Sequence, residues 1–262
     1  MFAFPREGAT LVGTTDVDHG DGLEREAVIT RAEVDYLMAA LHAQFPELAL
    51  NEGDILATYA GVRPVVDSGP VDAPSKAGRE HAIWCGDGLV GVTGGKLTTF
   101  RAIALDVLRQ ARGQLPGWLD ALAPCAVFDP VALPHTEARL AAPVLRRLAG
   151  RHGEAAQALV DAAQPGELEA IPGTETLWAE LRWAARLEAV EHLDDLLLRR
   201  TRLGLLLRGG GLQHLPRIRA ICQPELGWLD ARWDEEAARY RSLWNNHYSL
   251  PTAAGTSTTH EA

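Results

Sequence analysis

The junction Gly91-Val92-Thr93-Gly94-Gly95-Lys96-Leu97-Thr98-Thr99-Phe100-Arg101 constrains this chain more than any other segment. An apolar run enters it and two adjacent glycines interrupt it. Phe100, Ile103, Ala104 and Val107 then recur at helical spacing. The pattern predicts a strand, a tight turn, and a helix with Lys96 in its first turn. Glycine lets backbone approach a ligand without a Cβ in the way. The free N–H groups and the dipole of a helix start favour negative charge, and Lys96 adds a full positive one. Such a turn is a place to hold an anion or to stabilise one as it forms. Taken alone, it is equally a strand-to-helix turn carrying a solvated lysine.

Two nucleotide motifs lie close by, and both fail. A P-loop needs glycine at position 90 and Ser or Thr after the lysine, where this chain has Val90 and Leu97. Gly86-Asp87-Gly88-Leu89-Val90-Gly91 matches a dinucleotide fingerprint in letters. That motif requires a helix to begin inside it, whereas Leu89-Val90-Gly91-Val92 reads as strand. Asp87-Gly88 between two β-like runs predicts a hairpin over residues 81–92 instead.

The remaining pattern divides the chain. Residues 2–13 read as a hairpin, residues 55–66 as a strand, and Thr30 with Glu33 as a capping box. That box opens a helix with Val34, Leu37, Met38 and Leu41 along one side. Beyond Arg112-Gly113-Gln114-Leu115-Pro116-Gly117 nearly every apolar repeat is helical, as in Leu140, Val144 and Leu148, or Tyr240, Leu243 and Trp244. The expected class is α+β, with mixed strands and helices followed by an all-α region. The expected boundaries are residues 1–112, a linker over 113–135, a helical domain over 136–250 and a disordered tail over 251–262.

Composition narrows the function classes. No apolar run approaches the roughly 20 residues of a membrane helix, and no basic stretch followed by an apolar one marks an export signal. The expected location is cytoplasmic, with a peripheral place on the inner membrane face as the variant. The three cysteines, Cys85, Cys125 and Cys222, have no metal-like spacing and suggest reduced thiols. A net charge of −10 opposes non-specific nucleic-acid binding, so no nucleic-acid partner is expected. The acidic loop around His19 breaks the EF-hand pattern at Gly20 and Asp21, and no metal is expected.

Other segments join the junction in a fixed order: Gly13-Thr14-Thr15-Asp16, then Thr58-Tyr59-Ala60-Gly61-Val62-Arg63-Pro64-Val65-Val66, then Gly78-Arg79-Glu80-His81. Downstream comes Leu193-Asp194-Asp195-Leu196-Leu197-Leu198-Arg199-Arg200-Thr201-Arg202-Leu203-Gly204. With the glycine–lysine turn, these resemble the FAD-dependent glycerol-3-phosphate dehydrogenases over about residues 2–240, least well over 112–138. Members of that family open with a strand, a Gly-x-Gly-x-x-Gly turn and a helix that cradle the FAD pyrophosphate, and this chain shows no such unit. The resemblance therefore implies the carboxyl-terminal half of a flavoenzyme, with an FAD site that is incomplete in this chain.

The activity implied is oxidation of sn-glycerol 3-phosphate to dihydroxyacetone phosphate with hydride transfer to FAD. A quinone is the electron acceptor implied, with oxygen the alternative. A separate amino-terminal half and a second copy of the chain are the candidate macromolecular partners. The resemblance assigns Arg63 and Arg79 to the substrate phosphate, a task that suits the planar guanidinium fork. It places Lys96 at the reacting atoms and Gly94, Gly95, Lys96, Leu97 and Thr98 against the flavin. The cations at 63, 79 and 96 are then expected to converge on one pocket. His81 is the local candidate for general base, though a strand histidine more often has a structural partner. The competing reading is a non-catalytic remnant whose helical domain mediates contacts. The basic run Arg199, Arg200, Arg202 and Arg208 reads first as a charge-paired helix and the carboxyl-terminal tryptophans as helix packing.

Overall fold

The computed structural model describes residues 1–17, 22, 24, 26–63, 81–114, 127–138 and 140–251. It forms two compact units: Met1–Thr15 with Glu24–Gly61 and Pro130–Ala262, and Asp16–Leu23 with Val62–Asp129. The first is discontinuous in sequence. Arg79, His19, Cys125 and the expected tail from residue 252 onward lie outside the described residues.

In the first unit, β1 (Phe2–Arg6) and β2 (Ala9–Gly13) pair antiparallel, Arg6 opposite Ala9. The two turn residues have positive φ, 49° at Glu7 and 88° at Gly8, as a tight hairpin of matching twist requires. This is the hairpin predicted for residues 2–13. Helix α1 (Arg31–Gln44) begins at the predicted capping box: the Thr30 hydroxyl accepts from the Glu33 amide, and the Glu33 carboxylate accepts from the Thr30 amide at 2.8 Å.

The strand predicted over residues 55–66 does not form in its described part, 55–63, and 64–66 lie outside the described residues. At its first residue, Ile55, the backbone is extended, with φ −74° and ψ 122°. A strand also needs a neighbour to complete a ladder. Here the segment bonds to the far end of the chain instead. The Thr58 amide donates to the Tyr248 carbonyl at 2.8 Å, and the Thr58 hydroxyl donates to that of Ser249 at 3.1 Å.

The helical part of this unit comprises α3 (Ala142–His152), α4 (Ala156–Ala162), α5 (Trp178–Leu187), α6 (Leu203–Leu206), α7 (Leu215–Leu226) and α8 (Asp230–His247). Leu181, Leu193, Leu196, Leu197, Leu203 and Ile218 are essentially inaccessible to solvent and form its main core. A smaller cluster gathers Leu148, Leu159 and Leu177. Each such side chain stabilises by about 1.5–3 kcal/mol relative to exposure. Of the carboxyl-terminal tryptophans, Trp178, Trp233 and Trp244 are buried, in line with packing. Residues 195–200, expected as ordinary helix, form a π-helical turn with Leu196, Leu197 and Leu198 buried. Arg199 does pair with Asp195, four residues back, at 2.9 Å. It also reaches Asp194, which is buried and shared with Arg239, so this face is partly structural rather than only solvated.

Two features hold this region together. Gly209, Gly210 and Gly211 all have left-handed φ, and a Cβ on Gly210 would lie 2.8 Å from the Trp244 ring. From α8, Tyr240 Oη donates to the Gly210 carbonyl and Trp244 Nε1 to that of Gly204, each at 2.7 Å. The second feature is Glu180, which is 1% exposed. Its carboxylate accepts from Arg147 Nη1 at 3.0 Å and from the Leu177 amide at 2.7 Å, with His152 Nε2 at 3.2 Å. Burial alone would push this carboxyl up, but His152, Arg147 and the Leu177 amide outweigh it and hold it down to about 2.

The second unit contains β3 (His81–Gly86), β4 (Leu89–Gly94) and α2 (Phe100–Ala111). The strands pair antiparallel from His81 opposite Gly94 to Gly86 opposite Leu89. The turn residues Asp87 and Gly88 have φ of 50° and 78°. The glycine-rich letters of residues 86–91 thus form the predicted hairpin. Among the described residues, no helix is long and apolar enough to cross a membrane, and no cluster of His, Cys, Asp or Glu has the makings of a metal site. Cys85 and Cys222 are free thiols, the first exposed and the second buried.

Candidate functional site

The glycine–lysine turn leaves the end of β4 and enters α2 through a 3-10 turn, Leu97–Thr99. Gly94 and Gly95 both adopt left-handed φ, 76° and 82°. A side chain at Gly95 is strained by that φ, and the Ile103 side chain would also have to shift to admit it. Its Cβ would stand 2.4 Å from Ile103 Cδ1 and 3.4 Å from the Cβ of His81. The backbone here is pressed into a slot between strand and helix.

Lys96 follows with φ −118° and ψ 145°, at the N-cap position, and its side chain makes no capping hydrogen bond. Neither does that of Thr99, which caps α2; its hydroxyl donates back to the Lys96 carbonyl at 2.9 Å. Lys96, Leu97, Thr98 and Thr99 are all exposed, Leu97 at 88%. An exposed ammonium thus stands beside a helix start that no side chain caps. Chemically this is a donor set for an anion.

Of the other expected site residues, Arg63 is half-exposed and its Nη1 donates to Asp16 Oδ2 at 3.1 Å. Arg63 and Lys96 belong to the same compact unit. Gly94 through Thr98 are brought together by their contiguity, while Arg79 lies outside the described residues. His81 has the structural partner that a strand histidine usually finds: Nε2 lies 3.2 Å from Asp106 Oδ2 of α2. Asp106 also pairs with Arg109. Sequence reasoning missed both carboxylates. A signal existed for Asp106, which is the sole acidic residue on α2. Asp16 was visible as the end of the Gly13-Thr14-Thr15-Asp16 segment, with no role given to it.

Comparisons with known proteins match most of the chain. A family model described as FAD dependent oxidoreductase matches residues 1–101. One described as the C-terminal domain of alpha-glycerophosphate oxidase matches residues 117–233. Glycerol-3-phosphate dehydrogenase 2 of Mycobacterium bovis is 32% identical over 261 residues, which cover 92% of this chain and 43% of that protein. Glycerol-3-phosphate dehydrogenase of Mycobacterium leprae is 31% identical over 92% of this chain and 43% of its own length. The aerobic glycerol-3-phosphate dehydrogenase of Bacillus subtilis is 39% identical over 44% of this chain and 20% of its own. The chain thus spans 43% of the length of the mycobacterial relatives. With both family models matching in order, this chain belongs to the FAD-dependent glycerol-3-phosphate dehydrogenase family.

Proposed function

We propose that this chain takes part in oxidising sn-glycerol 3-phosphate to dihydroxyacetone phosphate with FAD, with a quinone as the final acceptor. In this reading Lys96 faces the reacting atoms, and Arg63 and Arg79 hold the substrate phosphate. One observation carries it: the exposed Lys96 at an uncapped helix start, behind two left-handed glycines, in a chain of this family. The residues present fit one part of a flavin site. Gly94 and Gly95 offer backbone without a Cβ, and the Leu97 and Thr98 N–H groups begin the turn with no side-chain cap on it, the Thr99 N–H being bonded to the Lys96 carbonyl. They do not supply a pyrophosphate cradle, because residues 86–91 form a hairpin turn.

Bound flavin supplies the acceptor for the hydride. In this reading Lys96 offers its cation to the negative charge that builds on the flavin or on the substrate oxygen, which lowers the barrier. In the same reading the exposed Thr98 hydroxyl donates a further hydrogen bond to the flavin. Arg63 trades its single bond to Asp16 for the two oxygens of a phosphate, a stronger, bidentate contact. The His81 contact to Asp106 occupies Nε2, so any proton His81 takes up goes to Nδ1.

The test is Lys96→Met in the enzyme that carries this chain, assayed by glycerol 3-phosphate-dependent dye reduction. The expected loss in kcat is about 100-fold, with little change in KM, as for removal of one preorganised donor. An unaltered kcat removes Lys96 from the chemistry.

A further inference from the structure

Three groups meet around the glycine turn and are not part of the reading above. His81 lies directly across the hairpin from Gly94. Its Cβ forms one wall of the slot that holds Gly95, and Ile103 forms the other. Ile103 and Asp106 stand three residues apart on α2, hence on the same helix face. The 3.2 Å contact from His81 Nε2 to Asp106 Oδ2 therefore runs from strand to helix on the face that walls the slot. On the far side of Gly95 is Lys96, whose own turn is held by local bonds: the Thr99 amide and hydroxyl donate to the Lys96 carbonyl, and the Phe100 amide to that of Leu97.

The exposures argue for a local role. The side chains of His81 and Asp106 are 26% and 40% exposed, so their pairing contributes little to the stability of the whole chain. Its value lies in where it is. Opening it frees the helix start to shift against the hairpin, and the lysine moves with it.

We propose that His81 and Asp106 are positioning residues for Lys96: their contact clamps the end of β4 to α2 and fixes the turn from which the lysine projects. The functional half of this rests on the reading of Lys96 as the reacting-site cation.

Amide hydrogen exchange on the full chain tests the clamp without any activity. His81→Ala and Asp106→Ala are each expected to speed exchange of the peptide covering residues 94–100 about threefold, the scale of one half-exposed ion pair. Asp106→Glu keeps the carboxylate and is expected to stay near the parent rate. Unchanged exchange in both alanine variants overturns the clamp. So does an equal increase in the Asp230–His247 helix, which marks general loosening. In the assembled enzyme, His81→Ala is expected to lower kcat about tenfold when Lys96 is present and not at all in the Lys96→Met background. Equal losses in both backgrounds overturn the positioning role. Because exchange reports the clamp directly, its failure and the failure of the catalytic reading are separate outcomes.

Discussion

Replacing Glu180 by glutamine separates the electrostatic part of the helical core from its packing. The carboxylate is 1% exposed and its ionised form is held by His152, Arg147 and the Leu177 amide. A drop from an ordinary value near 4.3 to about 2, at about 1.4 kcal/mol per unit, corresponds to about 3 kcal/mol of folding free energy. The sign follows from the direction. A carboxyl lowered in the folded state contributes fully above its unfolded value and loses that contribution as pH falls toward its folded value. Between pH of about 6 and about 3 the wild-type chain should therefore lose about 1.7 kcal/mol through this group alone. Glu180→Gln cannot lose it. At pH of about 6 the variant should be less stable by about 3 kcal/mol, because Arg147 keeps a buried charge without its counter-charge. Urea unfolding followed by tryptophan fluorescence, run on both proteins across that range, reads the difference. Glu167, Asp194 and Glu225 are also lowered, but they titrate in both proteins and cancel. The gap should narrow by about 1.7 kcal/mol on acidification; two parallel curves would falsify the account of Glu180.

Arg63→Ala in the enzyme carrying this chain should raise KM for glycerol 3-phosphate at least tenfold, the scale of one charge-assisted contact, while leaving KM for the electron acceptor unmoved. Comparable changes in both constants take Arg63 away from the phosphate. Gly210→Ala combines a left-handed φ of 70° with a 2.8 Å approach to the Trp244 ring. It should destabilise the helical region by about 2–4 kcal/mol in denaturant titrations, and a loss under about 0.5 kcal/mol refutes that reading of the glycine run. Tyr240→Phe strands the buried Gly210 carbonyl and should cost about 1–3 kcal/mol by the same measurement. An unshifted midpoint means that carbonyl finds another donor.

Features fixed by local chemistry were legible in the sequence. Asp87-Gly88 and Glu7-Gly8 can each adopt the two positive φ values of a short hairpin turn, and both runs beside them alternate suitably. Thr30 and Glu33 carry their capping box within four residues. The helix behind Lys96 follows from apolar spacing alone. What failed depended on distant partners. Residues 55–63 carry a β-like pattern, yet whether they become a strand is decided by what runs alongside, and Thr58 bonds to Tyr248 and Ser249 instead. The same limit applies to the site. The turn at Gly94-Gly95-Lys96 could be read from letters, whereas the attachment of His81 to Asp106 and of Arg63 to Asp16 joins residues 25 and 47 positions apart. Residues 195–200 carry an ordinary helical pattern, and nothing local marks the wider π-helical turn taken there.

The tie between Thr58 and the residues just after the last helix spans 191 positions. During synthesis the early segment is made long before its acceptors, the carbonyls of Tyr248 and Ser249, leave the ribosome. Closing so long a loop carries an entropic cost before any contact returns it. The first compact unit therefore cannot finish folding vectorially. Thr58 meets these partners only once residues 248 and 249 have been made.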